Sequence, residues 1–142
     1  MSKGNTFEND LLKLIFQATA IANIADNASS SPLTSLRISL HTSDPGEAGS
    51  QTTNEATYGA YVRVSVGRTT TGWTITNNSV SPAANIDFAQ ATSGTNTITH
   101  FGVGTATSGA GKLLYKGTVT PNISVSAGVT PRLTTASTVT ED

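Results

Sequence analysis

Few residues in this sequence have side chains suited to catalysis. Its 142 residues include two histidines, His41 and His100, and no cysteine. A nucleophilic triad needs a base held beside one particular hydroxyl. Neither histidine is accompanied by a G-x-S-x-G elbow, and 16 serines and 25 threonines distinguish no single hydroxyl. We therefore predict no catalytic residue, and we expect both histidines to be outward-facing or interface side chains on strands.

The acidic residues away from the chain ends are Asp44, Glu47, Glu55 and Asp87. The first three lie in a polar stretch with three glycines, residues 44–60, which is typical of a long and mobile loop. A mobile loop is poorly suited to hold two carboxylates at the fixed separation that glycoside hydrolysis needs. His41, Asp44 and Glu47 also lack the alternating oxygen ligands of a calcium loop. We predict neither a metal nor a cofactor, and we expect these acids to face solvent or a partner.

Two glycine pairs and the aromatic residues were also considered as binding motifs. Gly102-Val103-Gly104 and Gly109-Ala110-Gly111 lead into no predicted helix and lack the lysine-serine ending of a phosphate-binding loop. We interpret them as strand and turn glycines, since glycine in a strand often marks a bulge or a close backbone approach. We expect Trp73 and the three tyrosines to lie in the core or at the rim, as scattered aromatic residues of a β-sandwich usually do. Stacking on sugars is the other interpretation, so a carbohydrate-binding module stays open as an alternative.

Charge and hydropathy exclude two classes of partner. The formal net charge is −1, charged residues make up 12%, and the eight basic residues form no cluster. Nucleic-acid binding depends on neutralised phosphates, so we predict no direct nucleic-acid contact. The most apolar stretch, residues 11–25, is interrupted by polar side chains and is too short to span a bilayer. We predict no membrane contact and no targeting segment.

The N-terminal segment predicts the single helix of the chain. Its apolar residues recur at helical spacing: Phe7, Leu11, Leu14, Ile15, Ala18, Ala22 and Ala25. Asn5 followed by Glu8 resembles a capping box, and the polar run at residues 26–32 ends the pattern. A helix that docks on a partner and a helix that packs on its own domain both fit this pattern.

From residue 33 onward the apolar period changes to two, which predicts strands. Leu36, Ile38 and Leu40 point to one side, whereas Arg37, Ser39 and His41 point to the other. Further strands are predicted at 61–68, 73–76, 80–88, 97–105, 112–120, 123–126 and 129–139, with Pro82 indicating an edge position. The pattern predicts an all-β fold, an antiparallel jelly-roll-like β-sandwich of about eight strands with one N-terminal helix. We expect one domain over residues 1–142, with an arm and helix at 1–32 and the sandwich at 33–142.

Several segments resemble a family of small virion proteins of tailed phages. The segments are residues 7–16, 40–49, 99–104, 111–115 and 121–123, so the likeness covers nearly the whole chain. The family that they resemble is that of head cement, or decoration, proteins, most of all those of short-tailed Bordetella phages. Related sequences are often described as tail fibres, so a tail-fibre or receptor-binding protein is the first alternative.

The resemblance implies a jelly-roll fold, a homodimer and a position on the outer surface of the phage head, in contact with the major capsid protein. It implies no catalytic residues. On this hypothesis each copy bridges neighbouring capsomers, and a symmetric dimer uses one patch twice and gains avidity from its second contact. We expect the contacts to come from residues 1–25, from the loop 44–60 and from an exposed sheet edge. The candidate interface residues are Phe7, Leu11, His41, Asp44, Glu47, Glu55, Tyr61 and Arg63.

Overall fold

The computed structural model describes residues 3, 5–21, 24–25 and 32–141. In this part of the chain one helix and nine strands form. They are α1 (Asn5–Gln17), β1 (Ser35–His41), β2 (Val64–Gly67), β3 (Trp73–Thr76), β4 (Ser79–Pro82), β5 (Ile86–Asp87), β6 (Asn96–Gly104), β7 (Leu113–Val125), β8 (Arg132–Leu133) and β9 (Val139–Thr140). Every strand pairing whose register is resolved is antiparallel. The predicted class, an all-β antiparallel fold of sandwich type with one N-terminal helix, is confirmed.

The chain forms two compact units that alternate along the sequence. Unit 1 consists of Met1–Ser35, Gly67–Asn85 and Thr134–Asp142, and unit 2 consists of Leu36–Val66 and Ile86–Leu133. The boundary between the units does not coincide with the predicted division at residues 32 and 33. A single domain over residues 1–142 stays a prediction.

Unit 1 is built from α1 and a three-stranded sheet in the order β3-β4-β9. The β3–β4 hairpin turns through two asparagines, and Asn77 has a φ of 56°, a conformation that asparagine tolerates and that such tight hairpins require. The helix packs on this hairpin, with the ring of Phe16 edge-on to Trp73 at 4.7 Å between centroids. Both aromatic side chains are buried, so they form the core of the unit.

The buried face of α1 differs from the predicted one. Leu12 and Phe16 have no exposed surface and Glu8 is 5% exposed, whereas Phe7 is 42% exposed. Apolar residues occupy two sides of this helix, and helical spacing alone does not decide which side meets the hairpin. The helix also ends earlier than expected, at Gln17, where Ala18 takes a positive φ of 53°. The predicted pattern continues to Ala25, but residues 18–21 and 24–25 are not helical, and Ile21 and Ala25 form an isolated bridge instead. Residues 22–23 and the polar run at 26–31 fall outside the described residues.

Arg68 holds the C-terminal end of α1 in place. Its guanidinium donates to the carbonyl oxygens of Leu14, Ile15 and Leu33, each at 2.6 Å. The last carbonyls of a helix have no intrahelical partner and carry the negative end of the helix dipole. A cation at this position both satisfies these carbonyls and stabilises the dipole.

Unit 2 contains the four-stranded sheet β2-β1-β6-β7, apart from the strand-end residues Ser35 and Gly67, and the two-stranded sheet β5-β8. On β1, Leu36, Ile38 and Leu40 are buried as predicted. Ser39 and His41 have no exposed surface either, so the prediction that they point away from the core is wrong. The second half of β1 is covered on both faces. The alternation of apolar and polar residues predicts only one covered face, so it does not indicate the second.

Several predicted strands are divided or joined in the structure. The stretch 80–88 forms parts of β4 and β5, the stretches 112–120 and 123–126 form the single strand β7, and the stretch 129–139 contributes to β8 and β9. β4 lies between β3 and β9, so the strand as a whole is not an edge strand. β9 pairs only with Ser79 and Val80, however, so Pro82 lies beyond the end of that pairing, where its missing N–H is tolerated. Val62, predicted to face inward, is 62% exposed.

Replacing Arg68 with alanine should destabilise unit 1, because three carbonyl groups lose a charged donor. Hydrogen bonds to charged groups contribute about 1.5–3 kcal/mol, and we expect a loss of about 2 kcal/mol in the free energy of unfolding. Thermal unfolding, followed by circular dichroism at the helix band, would measure this loss of stability. The matched control is Arg132→Ala, since Arg132 forms an exposed pair with Asp87 and should unfold like the parent. Equal stability of the two variants would contradict the role of Arg68.

Candidate functional site

The main polar cluster of unit 2 is centred on an ion pair between Arg63 and Glu55. The guanidinium Nε and one terminal nitrogen donate to the two carboxylate oxygens of Glu55, at 2.6 and 2.7 Å. The Arg63 side chain is 2% exposed and that of Glu55 is 15% exposed. The Glu55 carboxylate raises the pKa of Arg63 above its ordinary value. A planar, two-point pair of this kind fixes the direction of both side chains.

Arg63 also holds a turn that is remote in sequence. Its terminal nitrogens donate to the carbonyl oxygens of Ala106 at 2.9 Å and Gly109 at 2.8 Å. The guanidinium therefore connects the loop that carries Glu55 with the turn between β6 and β7. A buried guanidinium is stable only when its N–H donors are hydrogen-bonded. The Arg63 guanidinium makes four such bonds, two to Glu55 and one each to Ala106 O and Gly109 O.

Tyr61 extends the cluster into the sheet. Its hydroxyl donates to Glu55 Oε1 at 2.9 Å and accepts the backbone N–H of Leu40 at 3.0 Å. Its ring stacks on Phe88 at 6.3 Å and meets Tyr58 edge-on at 5.3 Å. Burial raises the pKa of Tyr61 well above its ordinary value and that of Tyr58 to about 12. Both phenols therefore stay protonated and act as packing groups with hydrogen-bonding hydroxyls.

The loop 44–60 is fastened to the sheet, in contrast to the mobile loop that we predicted. Gln51 is fully buried and donates its amide to Arg37 O at 3.3 Å, while its amide oxygen accepts the Ala106 N–H at 2.9 Å. The absence of a side chain at Gly104 makes the space for it, since a Cβ there would collide with the Gln51 amide. Close approach, one of the two roles expected for the strand glycines, is confirmed at this position.

His41 is buried in a second hydrogen-bonded group of unit 2. Its Nδ1 donates to Thr53 O at 2.8 Å, which leaves Nε2 to accept the Ser39 hydroxyl at 2.8 Å. Gly102 makes room for both side chains, because a Cβ there would lie within 2.8 Å of each. Burial lowers the pKa of His41, so the ring is neutral near pH 7. Although a serine and a histidine are in contact here, neither has exposed surface that a substrate could reach.

Asp44 and Glu47 lie on the exposed side of the same loop. Asp44 pairs with Lys116 of β7 at 2.8 Å and accepts the Gly46 N–H, and the Lys116 ammonium lowers the pKa of Asp44. Beside this pair is a shallow cleft of about 200 Å³, lined by residues 46–47 and 113–116. Asp44 and Glu47 are thus surface groups of unit 2, as their predicted partner-facing role requires.

The eight predicted interface residues divide into two groups in the structure. The exposed or half-buried residues outside the cluster are Phe7, Leu11, Asp44 and Glu47. The others, His41, Glu55, Tyr61 and Arg63, lie inside unit 2 with their polar atoms bonded within the unit. These four residues present no unbonded polar group to a partner through the contacts named here, and the interface itself stays a prediction. Gln51 was missed, because a neutral amide among serines and threonines gives no signal.

Unit 1 has a wide, open cleft of about 640 Å³ between the start of α1 and the β3–β4 turn. Four asparagines and a threonine line it, and two of the asparagine amides are bonded to backbone carbonyls, Asn9 to Asn77 O and Asn78 to Glu141 O. Trp73 is 3% exposed and packs on Phe16, as expected for a core residue. It therefore offers no exposed ring face for the sugar stacking that the carbohydrate-binding alternative requires.

Within the part of the chain that the structure describes, no three histidine or acidic side chains are close enough together to hold a metal ion. No helix among residues 3, 5–21, 24–25 and 32–141 is long and apolar enough to cross a membrane.

These features define a mostly β protein whose buried polar groups bond one another and fix loops. A comparison with protein families identifies it further. The model of the family described as podophage GP4 fiber I protein gp80 matches residues 2–141, and the chain belongs to this family. It is therefore a structural component of a bacteriophage virion. No curated protein matches the sequence.

Replacing Arg63 with alanine should leave the Glu55 carboxylate in a site that is largely closed to water. Removing one partner of a buried pair costs about 3–5 kcal/mol, and we expect a loss of this size in urea unfolding. A cycle of Arg63→Met, Glu55→Met and the double variant tests the pairing. The loss in the double variant should be smaller than the sum of the losses in the two single methionine variants, because no unpaired charge remains. Additive losses would show that the two side chains do not act as a pair.

Acid should destabilise the protein through His41. In the unfolded chain His41 takes up a proton near its ordinary pKa of 6.5, whereas the folded protein resists protonation until lower pH. The stabilisation is complete above pH 6.5 and decreases as the pH falls below it. Urea midpoints at about pH 7.5 and pH 5.5 should differ in the parent protein and in His100→Asn, and this difference should be smaller in His41→Asn. An unchanged pH dependence in His41→Asn would contradict this assignment.

Proposed function

We propose that this chain is a non-enzymatic fibre subunit of a short-tailed phage, incorporated into the virion by protein contacts. The observation that carries the proposal is the family match over residues 2–141, since the description of that family names a fibre protein. The geometry supports a structural role, because the polar groups considered for chemistry are bonded inside unit 2. Arg63 and Glu55 bond each other, and both ring nitrogens of His41 are occupied.

A second candidate function is that of a head cement protein. It is supported by the resemblance of residues 7–16, 40–49 and 99–104 to cement proteins of short-tailed phages. On this proposal the chain lies on the outer surface of the head and binds the major capsid protein between capsomers. Because many copies bind at once, each contact can be weak and the particle still gains stability.

Both candidates require exposed surfaces that bind other proteins, and each unit offers one. On unit 1 the side chain of Phe7 is 42% exposed on α1. On unit 2 Asp44 and Glu47 are exposed beside the shallow cleft next to β7. The fixed shape of the loop 44–60 presents these acids in one arrangement, so little conformational entropy is lost when a partner binds.

Labelling of purified virions distinguishes the two candidates. Gold-labelled antibodies against the chain, viewed by cryo-electron microscopy, should decorate a fibre if the first proposal holds. Label spread over the head surface would instead support the cement protein. Virions from a phage with a nonsense mutation in this gene are the control and should carry no label.

The same mutant particles provide a second measurement. Loss of a fibre should reduce adsorption to host cells and leave the temperature at which DNA escapes from the particle unchanged. Loss of cement should leave adsorption unchanged and lower the temperature at which DNA escapes. Parent virions that carry no label at any position would contradict both proposals.

A further inference from the structure

The cleft of unit 1 is lined by side chains that carry amides and a hydroxyl. It has a volume of about 640 Å³, within the range of clefts that bind small ligands. Asn5, Thr6 and Asn9 come from the start of α1, and Asn77 and Asn78 come from the β3–β4 turn. Among the residues that the structure describes, no charged, aliphatic or aromatic residue lines this cleft. Most ligand clefts are largely apolar, so this lining suits a different kind of ligand.

Two of the amides in the cleft are held in one orientation. Asn9 Nδ2 donates to Asn77 O at 2.7 Å, and Asn78 Nδ2 donates to Glu141 O at 2.9 Å. These bonds leave the Oδ1 atom of each amide to accept a hydrogen bond. Both side chains are half-buried, so the cleft has two acceptors whose positions are set before a ligand arrives. Groups that are ordered in advance lose little entropy on binding.

The other three polar groups of the cleft are available to a ligand. They are the amides of Asn5 and Asn77 and the hydroxyl of Thr6, and all three side chains are exposed. Within the described part of the chain, none of them forms a hydrogen bond. An amide offers a donor and an acceptor, and so does a hydroxyl. The cleft therefore combines two fixed acceptors with three groups that can turn to donate or to accept.

The charges near the cleft disfavour an ionic ligand. The N-terminus of a helix attracts anions, but the first turn of α1 already contains the acid Glu8, which is 5% exposed. An anion at this end of the helix would come close to that acid. A cation would find no carboxylate among the described residues of the lining. A suitable ligand is therefore uncharged and polar over most of its surface.

We propose that this cleft binds a neutral saccharide. The hydroxyls of a sugar ring are closely spaced, and each can donate and accept. One sugar can therefore donate to the Oδ1 atoms of Asn9 and Asn78 while it bonds the three groups that are free to turn. A peptide fits less well, because its side chains need apolar pockets. Since no aromatic ring in the described lining can stack on the sugar, we expect a weak complex, with a Kd on the order of 1 mM.

This ligand adds to the structural role and does not depend on whether the chain lies in a fibre or on the head. A weak site becomes effective when several copies on one particle meet the same polysaccharide, because the second contact is made at high effective concentration. The single site is a property of the purified chain. Its failure to bind would leave the proposed virion positions untouched.

Saturation-transfer difference NMR with the purified full chain tests the class of ligand. The neutral probes are trisaccharides of glucose, galactose, mannose, rhamnose and N-acetylglucosamine. The charged probes of similar size are sialyllactose and trigalacturonic acid. We expect transfer to at least one neutral probe and to neither charged probe. Transfer to no neutral probe overturns the proposal, and so does equal transfer to neutral and charged probes.

The asparagine side-chain amides locate the site. In a heteronuclear NMR titration of the nitrogen-15-labelled chain with the neutral probe that binds, the signals that shift should include those of Asn5, Asn9, Asn77 and Asn78. The side-chain amide of Asn54, an exposed residue of unit 2, should not shift. Shifts confined to residues outside the cleft overturn the proposal.

A pair of matched variants measures the contribution of the cleft. Thr6→Ala with Asn77→Gly removes two polar groups, and glycine keeps the positive φ of 56° at the turn. We expect the Kd to rise about tenfold. The control, Thr107→Ala with Asn54→Gly, changes the same residue types at exposed positions of unit 2, where Asn54 has a φ of 54°. The control should bind like the parent, and circular dichroism checks that both variants fold. Equal affinity of the two variants overturns the proposal.

Discussion

The arrangement of unit 2 depends on a single buried ion pair. Arg63 and Glu55 come from opposite ends of a short segment, and their pairing fixes the loop 44–60 against the turn at residues 105–112. Neither charge would be stable alone in this site, since water reaches little of the Arg63 side chain. The loop, the turn and the strand that carries Leu40 are consequently coupled through Arg63, Glu55 and the Tyr61 hydroxyl.

The sequence predicts local structure well where burial is one-sided. Alternation at Leu36, Ile38 and Leu40 identifies β1, and helical spacing identifies α1. The sequence pattern predicts the wrong buried side where a helix has apolar residues on two sides, or where both faces of a strand are covered. The helix carries Phe7 and Leu11 as well as Leu12 and Phe16, and the aromatic hairpin residue Trp73, remote in sequence, selects the second pair. His41 is inward because the loop that carries Thr53 covers the second face of β1.

The polar cluster of unit 2 was not predicted as a cluster. Glu55, Tyr61 and Arg63 are three of the eight residues that the sequence analysis proposes for an interface, and the fold brings these three together inside the unit. The interface itself stays a prediction. Charge alone does not show whether an acid on a loop meets solvent or a remote arginine. Gly104 makes room for Gln51, and Gly102 makes room for Ser39 and His41. Only the three-dimensional structure shows these partners, although the glycine pair in β6 indicated a close approach. The virion class follows from the family match over residues 2–141.

The interleaved order of the two units affects the course of folding. Val139 pairs with Val80 in unit 1 and Ile38 pairs with Val103 in unit 2, so each unit joins residues that are far apart in sequence. Because contacts between distant residues slow folding, neither unit forms quickly from neighbouring residues alone. Each unit is also interrupted by a segment of the other, so a cut at any boundary between the segments divides at least one unit. Unit 1 therefore cannot be produced as one continuous fragment of the chain, and neither can unit 2.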